Sequence, residues 1–472
     1  MRRRLDLLVS MGILALATAA CTKTNPHYCA DAGPTFNCST LNHDAGLESP
    51  SDAGDAVGDA VPDAIDAHAD TGPEIQPPVC VLDQDCAGAD AGTPACGTSD
   101  GGAKCVECTM STHCKGAKPV CDTSAEKCVE CLGAAGSGME CTAVASKSVC
   151  NGATRSCVQC LDNSKCTGIK PICDLTQKSC RACTLDSECA GIGPGICVDY
   201  DGHCAATAEV VTVQGGAGCV ASGSLYCRAS DAVGVLSTHP ILLVKGPDPV
   251  GTIEPPLGAA PKILIVGEGN AVVGAGSGDA AGIHLQGASR FWVRDLKISG
   301  GTVGVLADTG AELHLTRCVV TQNGKGGIKT IGSSFDITNT IIAANGAGTD
   351  TGGVVWGGAR LGDIPQAGTA RFENNTVVDN MLIGVSCKTP YDVSTDLIHN
   401  NVGGNIANCT GALCCGAGDP DPLLDASYHL MSTSPCIDKI IPTASSVTVD
   451  IQGQPRPTSP GRLDCGADEF MP

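Results

Sequence analysis

The sequence predicts an all-β chain built around a solenoid, and three observations carry that expectation. Five segments between residues 282 and 401 can be stacked so that their columns match. Inside each segment apolar and polar residues alternate with the period of two that a strand imposes. Composition agrees: aromatics are only 3% of the 472 residues, too few for a large conventional core, while 61 glycines suit a backbone that turns often. A repeat near 22 residues with alternation inside it marks coils that bury their apolar side chains against one another.

The columns can be named. Phe291, Leu313, Phe335, Ala370 and Tyr391 form one inward column. Val293, Leu315, Ile337, Phe372 and Val393 form the next, and Ile298, Val320, Ile342, Val377 and Ile398 a third. The segments close on Gly301, Asn323, Asn345, Asn380 and Asn401. Coils are expected to start at Gly282, Gly304, Gly327, Gly353 and Gly384, in steps of 22, 23, 26 and 31 residues, with an insertion around 356–368. This module is assigned residues 207–472, with early strands at 210–213 and 241–244. Cys219 and Cys227 are close enough in sequence to bridge its first turn.

The chain begins with Arg2, Arg3 and Arg4, then an apolar run over 7–20 that is short for a bilayer span. The run ends Thr18-Ala19-Ala20-Cys21, which resembles a bacterial lipobox apart from Thr18, where that motif prefers leucine. The resemblance implies a signal peptide over 1–20 and a lipid on Cys21, hence a membrane partner through an N-terminal anchor at the outer membrane or cell surface. An ordinary signal peptide and a secreted protein is the alternative. Residues 21–79 read as a disordered acidic linker. From 24 to 103 there are fourteen acids and no Lys or Arg. With a net charge of −21, nucleic acid is excluded as a partner. Export explains 32 cysteines, because disulfides persist in oxidising compartments. Lipidating Cys21 leaves an odd number, so at least one thiol is expected to be free or buried.

Residues 80–206 hold five four-cysteine units. Cys108, Cys114, Cys121, Cys128 and Cys160, Cys166, Cys173, Cys180 share the spacing C-x5-C-x6-C-x6-C. The CxxC pairs between units, such as Cys128/Cys131, invite a redox or zinc reading. Each pair instead joins the end of one unit to the start of the next, so structural disulfides are expected and no metal is assigned. Connectivity stays open among three possibilities per unit. The spacing resembles the repeats of myxobacterial-type surface lipoproteins and, more distantly, Dickkopf-type modules, which implies no activity.

The Gly–β-branched coil starts and terminal asparagines resemble right-handed parallel β-helix proteins of the pectin-lyase-like kind. The closing stretches Tyr428-His429-Leu430, Ser434-Pro435-Cys436-Ile437-Asp438, 450–457 and 464–470 are similar to the C-terminus of choice-of-anchor bacterial surface proteins. Cys436 and Cys465 fall at small or apolar positions of that pattern, which suggests a disulfide between them stapling the cap.

That resemblance brings polysaccharide lyases and hydrolases into view. Alternation turns Trp292, His314, Asp336, Arg371 and Asp392 outward in one column, with Arg294, Thr316, Thr338, Glu373 and Ser394 beside it. Asp336 and Asp392, with Arg371 between them, are the candidate catalytic set, since a hydrolase needs two carboxylates about 5–9.5 Å apart. Trp292 with His314 is the candidate binding patch, an outward indole being suited to stack a sugar ring. The favoured expectation is a displayed module for adhesion, binding polysaccharide or a surface protein, with no cofactor; an enzyme is the alternative.

Overall fold

A computed structural model describes most of residues 102–471, together with 95–99, Leu82 and Cys86; short gaps fall at 134–140, 142–145, 256–261, 275–279, 351, 366–367, 412, 416–419, 442–444 and 458–460. The signal segment, Cys21 and the acidic linker lie outside the described residues.

Three parallel sheets build the solenoid, and each of the central coils gives one strand to each. The first contains Val210–Gln214, Ile241–Lys245, Lys262–Glu268, Arg290–Arg294, Glu312–Thr316, Ser334–Thr338 and Ala370–Glu373. The second runs from Val272–Val273 through Lys297–Ser299, Val319–Thr321, Ile341–Ala343 and Thr376–Val378 to Leu397–His399. The third runs from Ile283–Leu285 through Val305–Ala307, Ile328–Thr330, Ala359–Leu361 and Val385–Cys387 to Ile406–Ala407. The chain is therefore a parallel β-helix, and its core is the expected columns. Phe291, Leu313 and Phe335 pair in register with Ala370, and Ile298, Val320, Ile342, Val377 and Ile398 do the same in the second sheet. One coil start differs from expectation. The fourth is Gly358, not Gly353: Ala359 pairs with Ile328, while Gly353 sits in the turn of a hairpin joining Gly348–Thr349 to Val355–Trp356. Gly353 is followed by Val354 and Gly358 only by Ala359, so the local glycine–β-branched pattern pointed to the hairpin turn instead of the true start.

The corners explain why the coils stack in one register. Between the first and second sheets the chain turns through a left-handed residue, Asp295, Arg317, Asn339 or Asn374. The next corner repeats the device with Gln322, Ala344, Asp379 and Asn400, each just before a ladder asparagine. Asn323 Nδ2 donates to Asn345 Oδ1 (3.0 Å), Asn345 Nδ2 to Asn380 Oδ1 (3.0 Å) and Asn380 Nδ2 to Asn401 Oδ1 (2.9 Å). The same oxygens accept backbone N–H groups of the preceding coil, so buried corner amides are satisfied by side chains.

In the cysteine-rich region the first cysteine of a unit pairs with the third and the second with the fourth: Cys108–Cys121, Cys114–Cys128; Cys131–Cys150, Cys141–Cys157; Cys160–Cys173, Cys166–Cys180; Cys183–Cys197, Cys189–Cys204. Each CxxC pair is thus split between two bridges. Third and fourth cysteines face each other across a small antiparallel hairpin, as in Val120–Asp122 with Lys127–Val129. In three units the residue before the first cysteine caps the last: Glu107 accepts from Cys128 N, Glu130 from Cys157 N and Gln159 from Cys180 N. Three of the buried clusters consist of cysteines alone, so sulfur replaces the missing apolar core.

Both ends of the solenoid are closed by disulfides. Cys219 pairs with Cys227 as expected, beside the edge strand Leu225–Tyr226. At the other end the expected Cys436–Cys465 bridge is absent: Cys436 pairs with Cys415 and Cys465 with Cys414. The neighbours Cys414 and Cys415 reach two separate stretches of the closing segment, which spacing alone could not reveal. Cys387–Cys409 ties adjacent coils. Cys318 is a free, buried thiol, and burial pushes its pKa up to about 12. Described residues of the closing segment pack over the outward side of the second sheet, covering Ile341, Ala343, Val378 and Leu397 with Leu430, Ile440 and Leu463.

Candidate binding groove

The outward column of the first sheet forms, but its members serve one another. Trp292 is in register with His314, Asp336 and Arg371. The indole stacks on the His314 ring at 4.7 Å and 5°, and Tyr200 of the fifth cysteine unit covers it at 5.1 Å. His314 lies 2.8 Å from Glu312 and 3.5 Å from Asp336. Burial disfavours the imidazolium, yet the two carboxylates outweigh it and raise its pKa. Asp336 accepts from Arg371 Nε at 2.7 Å, and Arg371 Nη1 reaches Ser446 at 2.7 Å. Asp392 is not on the ladder: it bridges to Thr410, and its carboxylate accepts from Ser394 N at 2.9 Å. The expected carboxylate pair is therefore not assembled, because Asp336 is held between His314 and Arg371 and Asp392 belongs to a different turn.

Arg294, expected outward, is 2% exposed. It donates to both oxygens of Asp186 (2.7 and 2.8 Å), to Asp199 (2.8 Å), to Asp295 (2.9 Å) and to Cys197 O (3.2 Å). Around it Ile196, Val198 and Ala205 pack on Ile241, Leu243 and Leu264, outward side chains of the first coils. The fifth cysteine unit is docked there, which is why Trp292 is half-buried and no open aromatic platform.

The open recess lies over the third sheet. It is a groove of about 600 Å³ whose floor includes Lys329, Arg360, Ser386 and Ala407, register partners on successive strands. The hairpin of residues 348–356 forms one wall and Asp363 with Lys388 part of another. Asp350 on the hairpin takes Lys329 Nζ at 2.5 Å and Arg360 Nε at 2.8 Å. Burial raises its pKa, but Arg360 and Lys329 outweigh burial and hold it below the usual range. Arg360 Nη1 also donates to Ser386 O (3.3 Å) and Oγ (3.4 Å). Lys388 pairs with Asp363 at the rim, and Asn408 donates to Cys387 O and Lys388 O. Farther along the same column His284 lies between Glu254 (3.0 Å) and Asp308 (2.8 Å).

The hairpin wall is anchored from beneath. Trp356 is 2% exposed and lies over Gly326 and Gly348. A Cβ on Gly326 would stand 2.2 Å from indole Cζ3, and Gly326 itself has φ +136°. The tryptophan is a foundation, and the groove is preformed rather than closed by a free lid. Three cations and two carboxylates line it, with no histidine beside a carboxylate within its lining. Among the described residues, the groups close enough to share a metal ion are cysteine triplets whose sulfurs are already in disulfides. Sequence reading missed this groove. Its signals were the long step after Asn345 and the basic outward residues Lys329 and Arg360.

A family model described as "Right handed beta helix region" matches residues 281–418, the coils that carry this groove. No curated protein matches the chain, and no solved structure matches it.

Proposed function

We propose that the chain is an exported, lipid-anchored surface protein that displays a β-helix, and that the third-sheet groove binds an extended acidic polymer, a uronate-bearing polysaccharide being the simplest. One observation carries the binding reading: Lys329 and Arg360 stand on consecutive coils on the floor of a preformed groove, with Lys388 at its rim. Coils repeat at about 4.8 Å, close to the advance of one sugar in an extended chain, so carboxylates of the polymer can exchange with Asp350 and Asp363 for the cations those acids now pair. A basic excess inside a chain of net charge −21 is unexpected unless it serves recognition. The disulfide content supports an oxidising location, and the lipobox-like stretch before Cys21 supports the anchor.

A two-readout experiment tests both parts. Cells producing wild type, Cys21→Ala or Lys329→Ala/Lys388→Ala are fractionated, then exposed to labelled acidic and neutral polysaccharides. Wild type is expected in the membrane fraction and Cys21→Ala in the soluble one. The double variant is expected to lose at least tenfold in acidic-polymer binding, and wild-type binding should weaken with salt. Binding unchanged in the double variant, or absent for every acidic polymer, overturns the groove; Cys21→Ala remaining membrane-bound overturns the anchor. Release of unsaturated or reducing-end sugars would replace binding by catalysis.

A further inference from the structure

The segment that closes over the second sheet carries a dense group of buried acids. Asp450, Asp464, Asp468 and Glu469 are 0, 1, 4 and 4% exposed. A single buried guanidinium faces them: Arg456 donates to Glu469 Oε2 (2.8 Å), Gly466 O (2.7 Å) and Asn339 Oδ1 (3.1 Å). His429 Nδ1 lies 3.0 Å from Asp468 Oδ1. Backbone N–H groups meet much of the remaining demand. Gln452 and Gln454 donate to Asp450 Oδ1, Asp438 and Phe470 to the two oxygens of Asp464, and Leu430 to Asp468 Oδ2.

Where this segment meets the coils, the buried oxygens Asp450 Oδ2 and Asp396 Oδ2 have no donor. Asp396 belongs to the coil beneath, where its Oδ1 accepts from Asn375 N at 2.6 Å. The adjacent Thr395 O accepts from Gly466 N at 3.2 Å, so coil and closing segment meet there. The other charges facing these groups add to the acid excess: Asp425 and Asp438 from the closing segment, Glu373 and Asp392 from the coils. A buried ionised oxygen without a donor is costly, whereas a protonated acid carries its own donor and no charge.

We propose that this segment is a proton-tightened latch, closing over the last coils with uptake of protons and loosening as the surroundings move from mildly acidic to alkaline. The individual groups agree in direction. Burial raises the pKa of Asp396, Asp450 and Asp464, and carries Glu469 up to about 7. The bond to Asp468 raises His429. A carboxyl group whose pKa is raised by folding holds a proton that the open form gives up. Its contribution is full below the ordinary carboxylate range and falls as pH climbs through the folded value. Raised His429 has the same sign, stabilising below its ordinary value and fading above it. Carboxylates lowered by folding, such as Asp336 and Asp350, complete their contribution below pH 5 and leave the range from 5 to 8 to the latch and the raised histidines.

Hydrogen exchange resolved by peptide tests this on the intact chain. Protection over 449–470, corrected for the intrinsic pH dependence of exchange, is expected to fall about tenfold or more between pH 5 and 8, since one proton linked across one pH unit is a factor of ten. Protection over 312–338 serves as the internal reference. In Glu469→Gln/Asp450→Asn the fall should shrink severalfold, because both replacements are neutral at every pH. Asp396→Asn gives a second reading in the coil. Constant or rising protection in wild type, or an undiminished fall in the double variant, overturns the latch. Calcium restoring full protection at pH 8 also overturns it, by placing a cation where we place protons.

Discussion

Asn345 shows how much one side chain can carry in a solenoid. Its Oδ1 receives Asn323 N (3.2 Å) and Asn323 Nδ2 (3.0 Å), while its Nδ2 donates to Val320 O (3.0 Å) and Asn380 Oδ1 (3.0 Å). Removing it strands several buried polar groups at once, and each buried unsatisfied group costs about 1–3 kcal/mol. Asn345→Ala is therefore expected to lose about 3 kcal/mol or more of stability, measured by denaturant unfolding; a loss within the scatter of surface substitutions would mean the ladder is ornamental. Asn345→Asp should be harsher at neutral pH, since it keeps the acceptor, removes the donor and buries a charge. The ladder positions were legible in sequence because every coil repeats them. Arg294 and Trp292 were misread at the same scale. Alternation correctly turned them away from the core, but it could not show that residues about a hundred positions earlier would cover them.

At the scale of the element, the hairpin of residues 348–356 matters most. Its strands are two residues each, so it has little stability of its own. Trp356 beneath and the Asp350 pairs above hold it in place. Gly326→Ala should push the indole outward, because the left-handed backbone and the 2.2 Å approach both oppose a side chain. With Trp292→Phe as background, Trp356 is the single remaining tryptophan of two. Its fluorescence should shift to the red in Gly326→Ala, while far-ultraviolet circular dichroism stays that of a β-helix. An unshifted emission would show that the wall does not depend on this contact. The insertion was visible as irregular spacing, but its start was misplaced because Gly353-Val354 imitates a coil start. The cover over the second sheet left a similar trace. Ile341, Ala343, Val378 and Leu397 are apolar on the outward side, which only a further layer of chain accounts for.

At the scale of the whole molecule two kinds of stability meet. The cysteine units are held by disulfides with almost no apolar side chains beneath them, whereas the coils from 241 to 398 share one continuous apolar core. Reduction with a thiol should therefore separate them. Residues 105–204 are expected to become protease-sensitive, while the central coils resist digestion and keep their β signal. Loss of both together on reduction would show that the solenoid depends on the docked fifth unit. Arg294 and its acids make that dock specific, because removing the guanidinium would leave Asp186 and Asp199 facing a buried apolar surface.

The sequence by itself determined the all-β coil architecture, the inward columns, the ladder asparagines and the four-cysteine units, because each repeats at short range and is satisfied by its neighbour one coil or one hairpin away. Only tertiary structure decided which outward faces stay open. Docking of the fifth unit closed the first coils of the first sheet, the C-terminal segment closed much of the second, and the third was left with a groove walled by an insertion. It also chose the partners of Cys414, Cys415, Cys436 and Cys465. Those outcomes depend on contacts between segments far apart in the chain, and periodicity carries no record of them.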